Sequence, residues 1–304
     1  MRGRCTLLSV LLTLVLLSTL SCQPSTSNPK KSIVVTYSTL GSIVKELVGD
    51  KATVTVSIPN GLDPHEWEPS AKDIEVINKA DLVIENGLGL EGGMEKTLQV
   101  AKNNGVEFFT ASDYIVIRHV GLGEGIPSGD PDQVVGAPDP HLWMDPIAMK
   151  SVANGLATVL MKNLSLDVTN QALDLEKRLD SLDKELTDAV AAVPQESRKL
   201  VTGHESMGYF AQRYGFKLVG VIIPSLSSQA GVSAADLAAL KKAIQDNRIK
   251  TIFTELGTSP AVAKAIGDET GVKVVELTTH ALPNDGSYFT FMRNIASVIT
   301  NALK

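Results

Sequence analysis

Five histidines, His65, His119, His141, His204 and His280, hold most of the chemistry open to this 304-residue chain. Four of them stand just beyond a β-branched run or in the loop that follows. His65 comes after the run closing near Ile58, His204 after Val201-Thr202-Gly203, and His280 after Glu276-Leu277-Thr278-Thr279. His141 shares a context with His65: Asp63-Pro64-His65-Glu66-Trp67 is echoed by Asp139-Pro140-His141-Leu142-Trp143. In both, Pro fixes the backbone before the imidazole, and a large aromatic two residues later can wall a site from water. The chemistry this points to is metal ligation by His65, His141, His204 and His280. Four neutral imidazoles complete a tetrahedron around Zn2+ at about 2.0–2.1 Å. An all-nitrogen set favours Zn2+, Cu2+, Ni2+ or Co2+ over Mn2+, Mg2+ and Ca2+, which prefer oxygen. Neutral ligands leave the ion's charge uncompensated, so Glu66, Glu205, Glu255 or Asp285 is expected behind the imidazoles to orient them or offset that charge. Thiolate chemistry is excluded from the folded body, because the two cysteines, Cys5 and Cys22, both lie within the first 22 residues.

These histidines need a scaffold that gathers strand ends. Runs at Ile33-Val34-Val35-Thr36-Tyr37, 53–58, 81–85 and 106–109 read as strands, with helix-compatible segments near 39–49, 70–80 and 92–103 between them. The rhythm repeats with strands at 199–202, 217–223, 251–254 and 272–277 and helical segments near 205–214, 233–247, 259–270 and 287–303. Alternating strand and helix predicts an α/β fold with two similar lobes, each built on a four-stranded, mostly parallel sheet. Ligands bind beyond the carboxyl ends of such strands. With two of the four histidines from each lobe, a cleft between lobes can bring them together. Asp167 to Val193 has neither Gly nor Pro, and its apolar residues Ala172, Leu175, Leu179, Leu182, Leu186 and Val190 recur every three or four positions. That spacing predicts one long rigid helix over 167–193, joining a lobe at 32–166 to a lobe at 194–304.

Residues 1–21 read as a secretory signal, with Arg2 and Arg4 before an apolar stretch from Leu7 to Leu17. Ser18-Thr19-Leu20-Ser21-Cys22 resembles a bacterial lipoprotein cleavage box, which makes Cys22 the expected lipidation site and 22–31, rich in Pro, Ser, Thr and Asn, a flexible tether. The whole chain carries a formal charge of −6, from 28 Lys and Arg against 34 Asp and Glu. No basic block is longer than Lys30-Lys31, so nucleic acid is not an expected partner. No GxxxxGK[ST] loop is present, so an ATPase has to be a separate chain.

The motifs resemble those of the cluster A-I family of metal-binding lipoproteins, the solute receptors of bacterial ABC importers for zinc and manganese. The resemblance rests on Asp63-Pro64-His65-Glu66-Trp67-Glu68-Pro69-Ser70, on 80–91 (ADLVIENGLGLE), on Asp139-Pro140-His141-Leu142-Trp143-Met144-Asp145-Pro146, on 203–210 (GHESMGYF) with Arg213-Tyr214-Gly215, and on Gly286-Ser287-Tyr288-Phe289. It implies two α/β lobes joined by one rigid helix, with metal held between them by His65, His141 and His204. Manganese receptors of the family usually have a carboxylate where His204 stands, so the resemblance points to Zn2+, with Mn2+ the lesser candidate. The family's fourth ligand is commonly an Asp; His280 takes that place here, with Asp285 or water as the fallback. Family members that carry a histidine-rich loop carry it where Arg118 to Pro138 lies. Here that stretch has only His119, with Asp130 and Asp132, and is expected to be a plain flexible loop.

The resemblance further implies a monomeric receptor outside the cytoplasm, lipid-anchored to a bacterial membrane, that hands its ion to a permease driven by a cytoplasmic ATPase. The alternatives are a manganese receptor or adhesin of the same family, and a zinc hydrolase using three His and a water. His280 as fourth ligand would close the site to that water, so no enzymatic activity is expected.

Overall fold

The structure, a computed structural model, describes residues 30–124 and 135–304. The expected signal, the lipidation site at Cys22, and Asp130 and Asp132 lie outside the described residues.

The first half begins with β1 (Lys31–Val35), so the expected tether gives way to strand at Lys31. It continues through α1 (Ser38–Val48), β2 (Ala52–Val56), α2 (Ala71–Asn78), β3 (Leu82–Glu85), α3 (Glu95–Asn103) and β4 (Phe108–Thr110). These strands form one parallel sheet in the order β2-β1-β3-β4, with Ile33 opposite Val54 on one side and Leu82 on the other. Ile33, Val34 and Val35 are all fully buried, as a central strand covered on both faces requires. The start of α2 is set by a reciprocal cap between Ser70 and Asp73.

Two long helices follow. The first, α4 (Pro146–Leu164), is absent from the strand-helix pattern expected above and starts where the Asp145 carboxylate accepts the Ile147 N–H at 2.8 Å, with Pro146 at the first helical position. Its interior Gly155 lies against the ring of Tyr114, where a Cβ would stand 2.1 Å from a ring carbon. Beside it runs α5 (Thr169–Val190), the expected linking helix, shorter than the 167–193 span at 22 residues, or about 33 Å long. Leu175, Leu179, Leu182, Leu186 and Val190 form its buried stripe.

The second half contains β5 (Lys199–Thr202), α6 (Gly208–Tyr214), β6 (Lys217–Val221), α7 (Ala234–Asp246), β7 (Thr251–Thr254), α8 (Pro260–Thr270), β8 (Lys273–Glu276) and α9 (Tyr288–Leu303). All four expected strands are present. Where one four-stranded sheet is expected, their hydrogen-bonded ladders run as two parallel pairs, β5–β6 and β7–β8, with β5 lying against β7.

The main core is continuous from one lobe to the other. Ile33, Leu40 and Trp143 belong to the same buried cluster as Leu179 and Leu182 of α5, Leu200, Phe210 and Phe253 of the second lobe, and Met292 of α9. A smaller core of Val201, Ile222, Leu240, Ile252 and Ile266 belongs to the second lobe alone. Residues of α9 pack back onto α1 and α5, and the Ser42 hydroxyl donates to the Gly286 carbonyl at 2.9 Å while accepting the Tyr288 N–H at 3.0 Å. A shared core of this kind restricts motion between lobes to small displacements, because large ones would expose apolar surface. Among the described residues, no helix is long and apolar enough to cross a membrane.

Candidate metal centre

The repeated Asp-Pro-His motif acts as a local brace. In the loop after β2, Asp63 Oδ1 accepts the main-chain N–H of His65 at 2.9 Å, and before α4, Asp139 Oδ1 accepts that of His141 at 2.9 Å. An Asp capping the amide two residues on is a turn in its own right, and the intervening Pro locks it. The free oxygen of each carboxylate then does something different. Asp63 Oδ2 accepts the Ser228 hydroxyl of the second lobe at 2.6 Å, whereas Asp139 Oδ2 accepts from Arg118 Nη1 at 2.9 Å. Asp139 Oδ1 also lies 2.9 Å from His141 Nδ1, which places that ring's hydrogen on Nδ1 and leaves Nε2 a bare lone pair.

The other two histidines come from strand ends in the second lobe. His204 follows β5 through Gly203, where a Cβ would lie 2.4 Å from the Thr258 hydroxyl and 2.9 Å from Glu255 Cβ. Only glycine lets the chain pass that close. Glu255, at the end of β7, accepts the Gly203 N–H at 3.0 Å and stands 3.3 Å from His204 Nδ1. It also accepts the hydroxyls of Ser206 and Thr279. Because the Thr279 hydrogen goes to Glu255, its oxygen can only accept from His280 Nδ1, 2.9 Å away. That leaves His280 Nε2 without a hydrogen, and the atom is buried with no hydrogen-bond partner.

All four rings converge: a nitrogen of each of His65, His141, His204 and His280 lies within 4.8 Å of the others. His65 Nε2 is 3.4 Å and His204 Nε2 is 3.2 Å from His141 Nε2. A tetrahedral zinc site with bonds of about 2.0–2.1 Å has ligand-to-ligand edges of about 3.3–3.4 Å. Bare lone pairs facing one another in a dry interior are costly unless a cation lies between them.

Burial lowers the pKa of every one of these histidines, keeping them in the form that ligates. His65 is lowered, His141 and His204 lie well below the usual imidazole value, and His280 falls to about 4. Burial also pushes Asp139 up to about 6, against the pull of Arg118, and Glu255 up to about 7, against its hydrogen bonds to Ser206 and Thr279.

Of the carboxylates considered from the sequence, Glu255 hydrogen-bonds the histidine loops through Gly203, Ser206 and Thr279. Glu66 is exposed. Asp285 is exposed too, and is engaged with the Ser287 N–H at 3.0 Å and the Thr290 hydroxyl at 2.7 Å at the start of α9, outside the histidine group. Glu205 is buried beside His204 in sequence. The fifth histidine, His119, is exposed and pairs across the base of its loop with Pro138.

Asp63 and Asp139 were not anticipated as braces, although the repeated Asp two residues before each His carries that signal. The two tryptophans part company. Trp143 Nε1 donates to the Thr279 carbonyl at 3.0 Å, and its ring centroid stands 5.3 Å from that of His141 and 5.6 Å from that of His280, so it forms the apolar wall. Tyr288, at the head of α9, donates its hydroxyl to the Trp143 carbonyl at 2.7 Å and holds that wall in place. Trp67, expected to do the same for His65, is half-buried against the main core.

A family model described as zinc-uptake complex component A, periplasmic, matches residues 33–302. The manganese ABC transporter substrate-binding lipoprotein PsaA of Streptococcus pneumoniae is 28% identical over 297 residues, covering 92% of either chain. The high-affinity zinc uptake system protein ZnuA of Bacillus subtilis (strain 168) is 30% identical over 260 residues, 82% of this chain and 78% of that one. Among solved structures, the periplasmic zinc binding protein TroA from Treponema pallidum matches with a TM-score of 0.75 at 24% identity, over 90% of this chain and 99% of its own, a likeness of fold. Since the family match runs across both lobes and through all four histidines, the chain belongs to the ZnuA family of metal-uptake components.

Proposed function

We propose that this chain is the extracytoplasmic receptor of an ABC importer that captures Zn2+ on His65, His141, His204 and His280 and delivers it to a membrane permease. The observation that carries this reading is the convergence of four buried imidazoles, two from each lobe, with ring nitrogens within 4.8 Å of one another. The ion is cargo. By joining ligands from both lobes it favours the closed form, and the surrounding hydrogen bonds add to it: Ser228 to Asp63, Gln229 Nε2 to the His65 carbonyl at 2.9 Å, and the paired bonds between Asn60 and Leu282 at 2.8 and 2.9 Å. The neutral bonds are each worth about 1 kcal/mol net and the bond to the Asp63 carboxylate about 1.5–3 kcal/mol, a closure that docking on a permease can reverse.

The division into a lobe at 32–166, a linking helix at 167–193 and a lobe at 194–304, tethered through a lipid on Cys22, belongs to the same reading, as do a monomeric receptor and an ATPase on a separate chain. Four nitrogens fill a tetrahedral zinc site and leave no position for a nucleophilic water, which sets receptor ahead of hydrolase.

Manganese is the second reading, supported by the likeness to a manganese lipoprotein. The donor chemistry opposes it, since Mn2+ favours oxygen ligands. Titrating metal-free protein with Zn2+ against a chelator of known affinity, then with Mn2+, decides between them. One tightly held Zn2+ per chain with weak Mn2+ is expected; tight Mn2+ with weak Zn2+, or no tight site, overturns the reading.

A further inference from the structure

We infer that Arg118 is a positioning residue for the metal site, fixing His141 in the tautomer and orientation that turn its Nε2 lone pair toward the ion. This rests on the reading of the four histidines as zinc ligands. Arg118 is buried, and its Nη1 donates to Asp139 Oδ2 at 2.9 Å. Asp139 Oδ1 takes both the main-chain N–H and Nδ1 of His141, each at 2.9 Å. Both oxygens of a fully buried carboxylate are therefore engaged, and its plane is fixed from two sides. The second guanidinium nitrogen, Nη2, pairs with Glu124, which also accepts the Gly121 N–H at 2.9 Å, so the fork is itself held.

The pair is clamped by the opposite lobe as well. The Arg118 main-chain N–H donates to the Tyr209 hydroxyl at 3.0 Å, and a Cβ on Gly208 would lie 2.2 Å from Asp139 Oδ2 and 2.3 Å from Arg118 Nη1. Glycine at the head of α6 is what lets the second lobe close onto this ion pair. Without Arg118, Asp139 becomes a buried carboxylate with no cationic partner and with nothing to fix its second oxygen, a state relieved by rotation. Rotation withdraws the acceptor that holds the His141 hydrogen on Nδ1. Outer partners of this kind tune a ligand's basicity and aim, and their loss typically costs 10–100-fold in metal affinity. The plainer alternative is that the ion pair only stabilises the loop.

The test compares the wild type, Arg118→Gln, Arg118→Lys and His141→Ala for Zn2+ affinity by chelator competition, for the visible absorption of the Co2+-loaded protein, and for the thermal midpoint without metal. Arg118→Gln is expected to weaken Zn2+ binding by about 10–100-fold and to shift or weaken the tetrahedral Co2+ band. Arg118→Lys is expected to recover part of both, since it restores the charge but not the planar fork. Wild-type Zn2+ affinity and Co2+ band in Arg118→Gln, with only the midpoint lowered, would overturn the proposal. If Arg118→Gln does not fold, Gly208→Ala, which presses on the same pair, decides: weakened Zn2+ binding supports it, and wild-type affinity overturns it. A wild type without tight zinc binding brings down the site reading and this inference together. Tight binding that is lost in His141→Ala leaves the Arg118 result to be judged alone.

Discussion

Replacing Ser228 by Ala removes one bond that exists only when the lobes meet. The Ser228 hydroxyl donates at 2.6 Å to Asp63 Oδ2, and the other oxygen of Asp63 is occupied by the His65 N–H at 2.9 Å. Asp63 is 8% exposed, so water does little to replace the missing donor. A hydrogen bond to a carboxylate in such a place contributes about 1.5–3 kcal/mol. The whole of that falls on the closed form, because an opened receptor lets water reach Asp63. Zinc affinity should therefore drop by about 10- to 150-fold. The loss should appear in the dissociation rate, with association little changed, since contacts formed after encounter mainly set off-rates. Stopped-flow release of Zn2+ to a chromogenic chelator, run beside a binding titration, measures both. A Ser228→Ala protein with wild-type affinity and release rate would refute the idea that this contact helps hold the closed state.

Further outcomes follow from the same geometry. His204→Ala should lower zinc affinity by orders of magnitude while the circular dichroism spectrum stays that of the wild type; unchanged affinity in a competition titration would remove His204 from the site. Imidazoles ligate only when unprotonated, and burial holds His280 at about 4 with His141 and His204 well below their usual value, so zinc binding should stay level between pH 7 and 6 and weaken toward pH 4. A binding curve with its midpoint at 6.5 would show that the rings are solvated before the ion arrives. For the metal-free fold the signs oppose. The lowered histidines contribute stability above about 6.5 that is lost as pH falls toward 4, whereas Asp139, raised to about 6, and Glu91 and Glu255, raised to about 7 by burial, contribute stability at low pH that is lost as pH rises through those values. Thermal midpoints of metal-free protein should consequently vary little between pH 5 and 7, and a steep dependence there would contradict the balance. Leu182→Ala, in the core shared by both lobes, should cost about 2–5 kcal/mol and leave a single melting transition; two separated transitions would show that the lobes fold independently.

Strand-helix alternation and the stripe on α5 were legible because they are periodic, and period is what packing against a sheet or a neighbouring helix imprints on a chain. The helix α4 escaped notice for the opposite reason. Gly155 lowers its intrinsic propensity, and Ala148, Met149, Val152, Ala153, Leu156 and Leu160 are buried along a segment with few charges, so the contrast between faces is weak. The four histidines could be singled out because their residue type and strand-end positions are local facts. Their supports could not, since Ser228 meets Asp63 across 165 residues and Arg118 meets Asp139 across 21. Glu255 was within reach because it directly follows a strand, where a parallel sheet aims its ligand-binding groups. The different fates of Trp67 and Trp143 show how far a repeated motif extends: it sets the local turn around each His, while what the aromatic touches depends on what tertiary packing brings to it.

The bond from Tyr288 to the Trp143 carbonyl reaches across 145 residues and sets an order on assembly. A chain emerging from its N-terminal end presents His65, His141 and His204 well before residues 288–303 are available to dock on α1 and α5. Until they do, the Trp143 wall beside His141 lacks its anchor and the core between the lobes lacks one side. Ion capture is thereby tied to completion of the fold, and a chain cut short before α9 would carry every histidine of the site without the means to hold them in register.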